Sequence, residues 1–413
     1  MEKAILVGLD IGFRQEFQDS MEELKNLAEA CNIEVLSILT QKADSPTANF
    51  YIGKGKVEEL KQLITTLDAN VVVFDDELSP SHIRNLEKAL EIKVIDRTIL
   101  ILDIFASRAK TKEAMLQVEL AQSMYMLPRV IGLYKSLSRQ KSGTGSKGPG
   151  EQQLELDRRL LRDNITRLKH ELKEAVVIRR TQREKRKKTD IPTVALTGYT
   201  NSGKSTLMNT LLSFSIVNQE KYVFEKDMLF ATLETQTRNI TLENNHSFLI
   251  TDTVGFISKL PHHLIEAFKS TLEEIKEASL ILHVIDLSNP HFLKQIEVVK
   301  FVLKEMGIEN IPLIYVYNKI DLCQDLPIIE TQPSIYVSAL KNIYLDRLLE
   351  LMNKTLFPNI HKVHMLLPFD KGQIYNFLKE NANILETEYL NEGIFFTVEL
   401  NESQYLKYSE YIK

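Results

Sequence analysis

The sequence predicts a multidomain α/β protein: a P-loop nucleotide-binding domain, an N-terminal parallel α/β domain carrying a long antiparallel helical hairpin, and a small α+β C-terminal domain. Three observations predict it. A glycine loop, Gly198 to Thr206, stands between the apolar run Val194–Leu196 and the helix-like run Leu207–Leu212. Short β-branched runs alternate with amphipathic stretches over the first hundred residues, the pattern of a parallel sheet flanked by helices. Two long stretches with apolar residues four and three apart bracket a glycine-rich basic segment.

A chain of 413 residues is too long for one core and divides into several domains. We read 1–106 as the N-terminal domain, 107–189 as the hairpin, 190–357 as the nucleotide domain and 358–413 as the C-terminal one. Net charge is −5, so attraction to a polyanion must come from local clusters. Cys31 and Cys323 lie far apart with no metal-ligand spacing, which excludes a disulfide framework or zinc site and leaves two inert core thiols. The N-terminus lacks signal-peptide architecture and no apolar run is long enough to span a bilayer, so the expectation is a cytoplasmic protein.

In the N-terminal domain, strands are predicted at Ala4–Leu9, Glu34–Leu39, Val71–Phe74 and Lys93–Ile95, and helices at Gln18–Cys31, Lys56–Thr66 and Ser79–Leu90. Ser79-Pro80 is a helix start, with Pro in the first turn. Gly53-Lys54-Gly55-Lys56 is too short for a phosphate loop. It is read either as a turn and helix start on a basic edge or as a phosphate contact.

From Lys112, Leu116, Leu120, Ser123 and Leu127 mark one face of a helix that Pro128 ends or kinks. Leu161, Ile165, Leu168, Leu172 and Ala175 mark a second, running from Glu151 to about Arg180. Each supplies the stripe the other buries, so the pair forms an antiparallel hairpin. Between them, Arg129 to Lys147 carries five bases and no acid, and the tip Ser142–Gly150 is rich in glycine. Such a tip suits insertion into an RNA site, with Lys141, Gly143, Gly145, Lys147 and Gly148 as candidate contacts; a flexible linker has the same composition. Arg179 to Lys188 holds seven bases and one acid, adding Arg179, Arg180 and Arg183 as candidate phosphate contacts, or a solvated helix end.

The loop Gly198-Tyr199-Thr200-Asn201-Ser202-Gly203-Lys204-Ser205-Thr206 fits G-x-x-x-x-G-K-[ST]. Its backbone N–H groups and the helix N-terminus face phosphates, Lys204 reaches the β and γ phosphates, and Ser205 holds Mg²⁺. Asp252, in Asp252-Thr253-Val254-Gly255 after an apolar run, supports the Mg²⁺, and the Gly255 N–H meets the γ-phosphate. Thr232, in Phe230-Ala231-Thr232, is chosen as the mobile hydroxyl closing on Mg²⁺, with Thr235 and Thr237 as competitors. Asn318-Lys319-Ile320-Asp321 supplies a carboxylate that accepts from guanine N1–H and N2–H₂, a donor edge adenine lacks. Ser338-Ala339-Leu340 offers a backbone N–H to guanine O6. Four boxes in this order predict a P-loop GTPase domain binding GTP and GDP. The C-terminal segments Lys362–Leu367, Lys371–Lys379, Leu385–Tyr389, Gly393–Leu400 and Glu402–Tyr411 predict a β-α-β-β-α module for packing or interaction.

With these boxes the chain resembles the translation-factor-related P-loop GTPases, and more closely the HflX family of ribosome-associated GTPases. The resemblance rests also on Tyr51–Lys56, Asp76–Pro80, Val94–Arg97, Leu116–Gln122, Leu127-Pro128-Arg129, Gly148–Glu151, Asp157-Arg158-Arg159 and Leu229–Leu233. It implies a GTP hydrolase that binds the large ribosomal subunit and its RNA, sets the hairpin tip near the peptidyl-transferase centre, and separates stalled or idle ribosomes. Use as an assembly factor or in antibiotic protection is open beside this, and the family's N-terminal domain has been associated with ATP. The family pattern differs at Glu234-Thr235-Gln236, where Asp-Pro before Thr is usual, and at Ser142 and Ser146-Lys147. Phe256 replaces the water-orienting Gln of many small GTPases, which implies slow hydrolysis without outside help. Asn201 matches a position that, in related potassium-stimulated GTPases, helps hold K⁺; it equally braces the loop. His262-His263 reads as a solvated helix start rather than a general base. Off the ribosome a monomer is expected.

Overall fold

The computed structural model describes residues 2–12, 14–139, 149–187, 191–216, 236–242, 244–253, 255–259, 275–327 and 333–413. Two compact units divide the chain, the first dominated by Met1–Arg183 and the second by the remainder.

In the first unit the alternating pattern folds as β1 (Lys3–Asp10), α1 (Arg14–Ala30), β2 (Glu34–Lys42), α2 (Lys54–Leu67), β3 (Val71–Phe74), α3 (Pro80–Leu90) and β4 (Lys93–Asp96). The strands form a parallel sheet in the order β2-β1-β3-β4. Ser79 caps α3 by accepting from the His82 N–H, as its sequence demands. α2 begins directly after Gly53, whose N–H donates to Gln41 Oε1, and Lys56 pairs with Glu59, the behaviour of a turn and helix start. A helix the alternation did not separate, α4 (Arg97–Arg108), follows β4 without a loop, its N-terminus capped by Asp96.

At the start of α4, Arg97 is 2% exposed. Its guanidinium donates to Asp75 Oδ1 at 2.5 Å, the Ser20 carbonyl at 2.6 Å and Glu23 at 2.8 Å. A charge so deep is tolerable only because those partners take up its donors.

α5 (Lys112–Arg139) and α6 (Pro149–Lys187) supply the hairpin helices. Leu116, Leu120 and Leu168 form their seam, with Ile165 and Leu172 against it, and Ser123 accepts from Asn164. Pro128 does not end α5, which continues to Arg139. Within the helix the Arg129 Nη1 donates to the Tyr125 carbonyl at 2.8 Å, one residue past the Met124 carbonyl that a Pro128 N–H would have met.

The second unit contains β5 (Thr193–Gly198), α7 (Lys204–Ser213), β6 (Gln236–Thr241), β7 (Ser247–Asp252), β8 (Leu280–Asp286), α8 (Phe292–Glu305), β9 (Leu313–Asn318), β10 (Ser334–Tyr336) and α9 (Leu345–Leu356). The sheet order is β10-β9-β8-β5-β7-β6, parallel except for β6 on β7. Val194, Leu196, Leu282, Val284 and Val316 face α7 and α9 in one core, while Ala195, Ile281 and Val299 build another against α8. Such burial on both faces accounts for near-continuous apolar strands. Every carboxyl end of β5, β7, β8 and β9 reaches one edge, where open α/β sheets bind ligands.

The C-terminal module comprises β11 (Ile360–Leu367), α10 (Gly372–Asn381), β12 (Asn383–Leu390), β13 (Gly393–Asn401) and α11 (Glu402–Lys407), the order read from the sequence. Its antiparallel sheet runs β11-β13-β12, with Met365, Phe396 and Val398 in its core. Neither cysteine is a full core residue. Cys31 is half-buried and donates to the Leu100 carbonyl, with burial first, then Asp103 and Glu2, pushing its thiol up to about 12. Cys323 is also half-buried and shifted upward, chiefly by burial. Among the described residues no helix is long and apolar enough to cross a membrane.

Candidate functional site

β5 delivers Gly198 to the sheet edge with φ at +151°, where an added Cβ would stand 2.2 Å from the Val284 carbonyl oxygen. Only glycine fits there. The loop then runs through Asn201 at φ 60° and Gly203 at φ +90° into α7. Lys204 is 7% exposed, its Nζ donating to the carbonyls of Tyr199 at 2.8 Å and Gly198 at 3.3 Å. Burial pulls its pKa down to about 8, against the opposing pull of Asp252.

Ser205 Oγ donates to Asp252 Oδ2 at 2.6 Å, so the two expected Mg²⁺ ligands already share one position. A hydroxyl and a carboxylate are hard oxygen donors suited to Mg²⁺, which takes its other ligands from water and phosphate. Among the described residues no cluster of three acidic, His or Cys side chains offers an alternative metal cage.

Gly255 rests on the loop, close enough that a Cβ would lie 2.9 Å from Lys204 Nζ. The next residue fixes that placement: Phe256 N–H donates to Gly198 O, and Thr200 N–H to Phe256 O. The Phe256 ring is 3% exposed, packed with Ala195 and Ile275. It is a core side chain, not a group that reaches toward a phosphate.

At the base-reading end, Asn318 ends β9 and bridges two loops. Its Nδ2 donates to the Ser202 carbonyl at 2.9 Å and its Oδ1 accepts from the Ala339 N–H at 3.0 Å. The Ser338 hydroxyl donates to Asp321 Oδ1 at 2.5 Å, aiming the carboxylate. Lys319, at φ 66°, pairs with Asp286 at 2.7 Å. Asp286 and Ser338's orienting role were missed from sequence, although Asp286 closes a strand just as Asp252 does. Leu340 is 70% exposed beside this box.

Gly198, Tyr199, Thr200, Asn201, Ser202, Gly203, Lys204, Ser205, Thr206, Asp252, Gly255, Asn318, Lys319, Asp321, Ser338, Ala339 and Leu340 therefore lie on the loops and strand ends of one sheet edge. Phe230, Thr232, Thr235 and His262-His263 fall outside the described residues, as do Lys141, Gly143, Gly145, Lys147 and Gly148. Arg179, Arg180 and Arg183 lie on α6, with only their backbone described. Thr237 sits inside β6 with its hydroxyl 3.1 Å from Thr251, a strand residue rather than a mobile one.

A phosphate loop, a strand-end Asp paired with the loop's Ser, and an Asn318-Lys319-Ile320-Asp321 box whose carboxylate Ser338 aims define a P-loop GTPase. Comparison with known proteins agrees. Residues 18–106 match the family model "GTP-binding GTPase N-terminal", 108–186 "GTP-binding GTPase Middle Region" and 193–319 "50S ribosome-binding GTPase". GTPase HflX of Caldanaerobacter subterraneus is 47% identical over 97% of this chain and 91% of its own length. That of Escherichia coli K12 is 38% identical over 95% and 91%. The chain belongs to the HflX family of GTPases and hydrolyses GTP. A GTP-binding protein from Sulfolobus solfataricus in complex with GDP, 26% identical, aligns over 86% of this chain and 99% of that one with a TM-score of 0.44.

Proposed function

We propose that this chain is a cytoplasmic, monomeric GTPase that docks on the large ribosomal subunit in its GTP state and uses the nucleotide to separate stalled or idle ribosomes. One observation carries the reading: a guanine-specific site shares its chain with a two-helix arm. α5 has 28 residues and so runs about 42 Å, and the segment joining it to α6 is basic and rich in glycine. The match of 193–319 to a ribosome-binding GTPase model supports the same partner. A switch of this kind needs different affinities in the two nucleotide states.

Bound Mg²⁺, held by Ser205, Asp252 and Thr232, would neutralise charge on the β and γ phosphates. Lys204 stabilises the same oxygens, Gly255 donates its N–H to the γ-phosphate, and Asp321 selects guanine. The buried Phe256 cannot orient water, so turnover is slow until the ribosome supplies that function. Asn201 is exposed at the loop's left-handed turn, open to a K⁺ that would add positive charge there. Faster turnover in K⁺ than in Na⁺ is expected, and equal rates would discard this role.

The deciding experiment adds purified large subunits and GTP, follows phosphate release, and sediments intact ribosomes with the protein. Faster turnover with conversion of ribosomes to subunits is expected. Turnover that rises while ribosomes stay joined rejects the separating activity in favour of assembly or drug protection. Neutralising Lys141 and Lys147 together should weaken binding and lower its salt slope by about 2, with GTP affinity unchanged.

A further inference from the structure

The C-terminal sheet leaves β12 at its edge. Natural edges of this kind are usually blunted by Lys, Pro or brevity. This one has eight residues, no Lys and no Pro, with one bulge at Leu385. Register fixes what it displays. Glu386 lies opposite Thr397, which lies opposite His364; Glu388 lies opposite Phe395, which lies opposite Leu366. Paired residues share a face. Both glutamates therefore stand on the face away from the Met365–Phe396–Val398 core, next to the stacked rings of His364 and Phe395, 5.8 Å apart.

Both acids are exposed, and neither has an ion-pair partner among the described residues. Tyr389 is 71% exposed, Leu390 44% and Leu385 42%. From Asn383 to Leu400 the chain has four acids and no Lys or Arg. That charge repels nucleic acid and selects a cationic occupant.

We propose that the edge of β12 docks a basic, extended protein segment with Lys or Arg at alternate positions. Added strands gain main-chain hydrogen bonds from the open edge and specificity from alternate side chains. With side chains alternating between faces, every second residue of an added strand would meet Glu386 and Glu388, while those between would lie against Tyr389. This goes beyond the proposed function and does not rest on the nucleotide site or the arm.

The test uses the full chain without ribosomes. Two fluorescent ten-residue peptides of identical composition, one alternating Lys with Val and one with its lysines in a block, are titrated and followed by anisotropy. The alternating peptide should bind at least tenfold tighter than the blocked one. E386Q/E388Q should weaken it about tenfold, and Tyr389→Lys should do the same, both with GTP turnover unchanged. Equal affinity for the two peptides, indifference to E386Q/E388Q, or binding of neither peptide would overturn the proposal; the last would make the acids guards against self-pairing.

Discussion

Asp96, at the last position of β4, receives Arg129 of α5 at 3.2 Å while fully buried. Its two oxygens also accept from Tyr125 Oη at 2.9 Å and from the N–H groups of Leu78 and Ile99. The Arg129 guanidinium lies 3.1 Å from the centroid of the Tyr125 ring. One carboxylate thus bolts the root of the arm to the N-terminal sheet. Asp96→Ala should destabilise the first unit by about 3–5 kcal/mol, since Arg129 would be left charged and buried. Urea unfolding followed on that unit measures it, and the double change Asp96→Ala with Arg129→Met should recover part of the loss.

Lys204 titrates unusually low because it is buried. Phosphates arriving beside it favour the ammonium, so its pKa rises on binding and the complex holds more protons than the free protein. GTP affinity should therefore fall as pH rises through about 8. Calorimetry in buffers of different ionisation enthalpy should detect proton uptake at pH 8.5 and little at pH 6.5.

His283 is 1% exposed in β8, its Nδ1 without a partner among the described residues. Burial, then Lys300 and Lys204, pull its pKa down to about 3. The unfolded chain protonates this ring near 6.5 and the folded one does not, so stability is full above that pH and is lost as pH falls toward 3. The slope is about 1.4 kcal/mol per pH unit. His283→Leu should remove that component, seen as a flatter dependence of urea midpoint on pH between 6 and 4.

Ser338→Ala removes the hydroxyl that aims Asp321. A charge-assisted bond of this kind is worth about 1.5–3 kcal/mol, so GTP and GDP should both bind roughly tenfold to a hundredfold more weakly. Because the proposed role of Asp321 is to read the base, which GTP and GDP share, the ratio of the two affinities should stay constant in a competition assay.

The sheet edges, the phosphate loop and the C-terminal module were legible in the sequence because each depends on local pattern: apolar runs, glycine at forced φ, and turn residues. α4 was not, since Asp96 serves at once as strand end and helix cap and leaves no loop to mark the boundary. Pro128 was legible as a missing N–H that ends or kinks a helix; of those two outcomes the ending does not occur, since α5 runs through it to Arg139. The nucleotide boxes were legible one by one. Their mutual bonds, Asn318 to Ser202 and Ala339, Ser338 to Asp321, and Lys319 to Asp286, join residues far apart in the chain and carry no local signal.

The bridge made by Asn318 ties the base-reading end to the phosphate loop through a single amide. A Cβ on Gly203 would come within 2.3 Å of that amide nitrogen, so the two halves are fitted to each other as well as bonded. Reprogramming this protein for an unnatural purine is therefore a problem with a fixed part and a free part. Asn318 and Gly203 form a chassis to be left alone, and the proposed choice of base would be rewritten first in Asp321 and the serine that aims it.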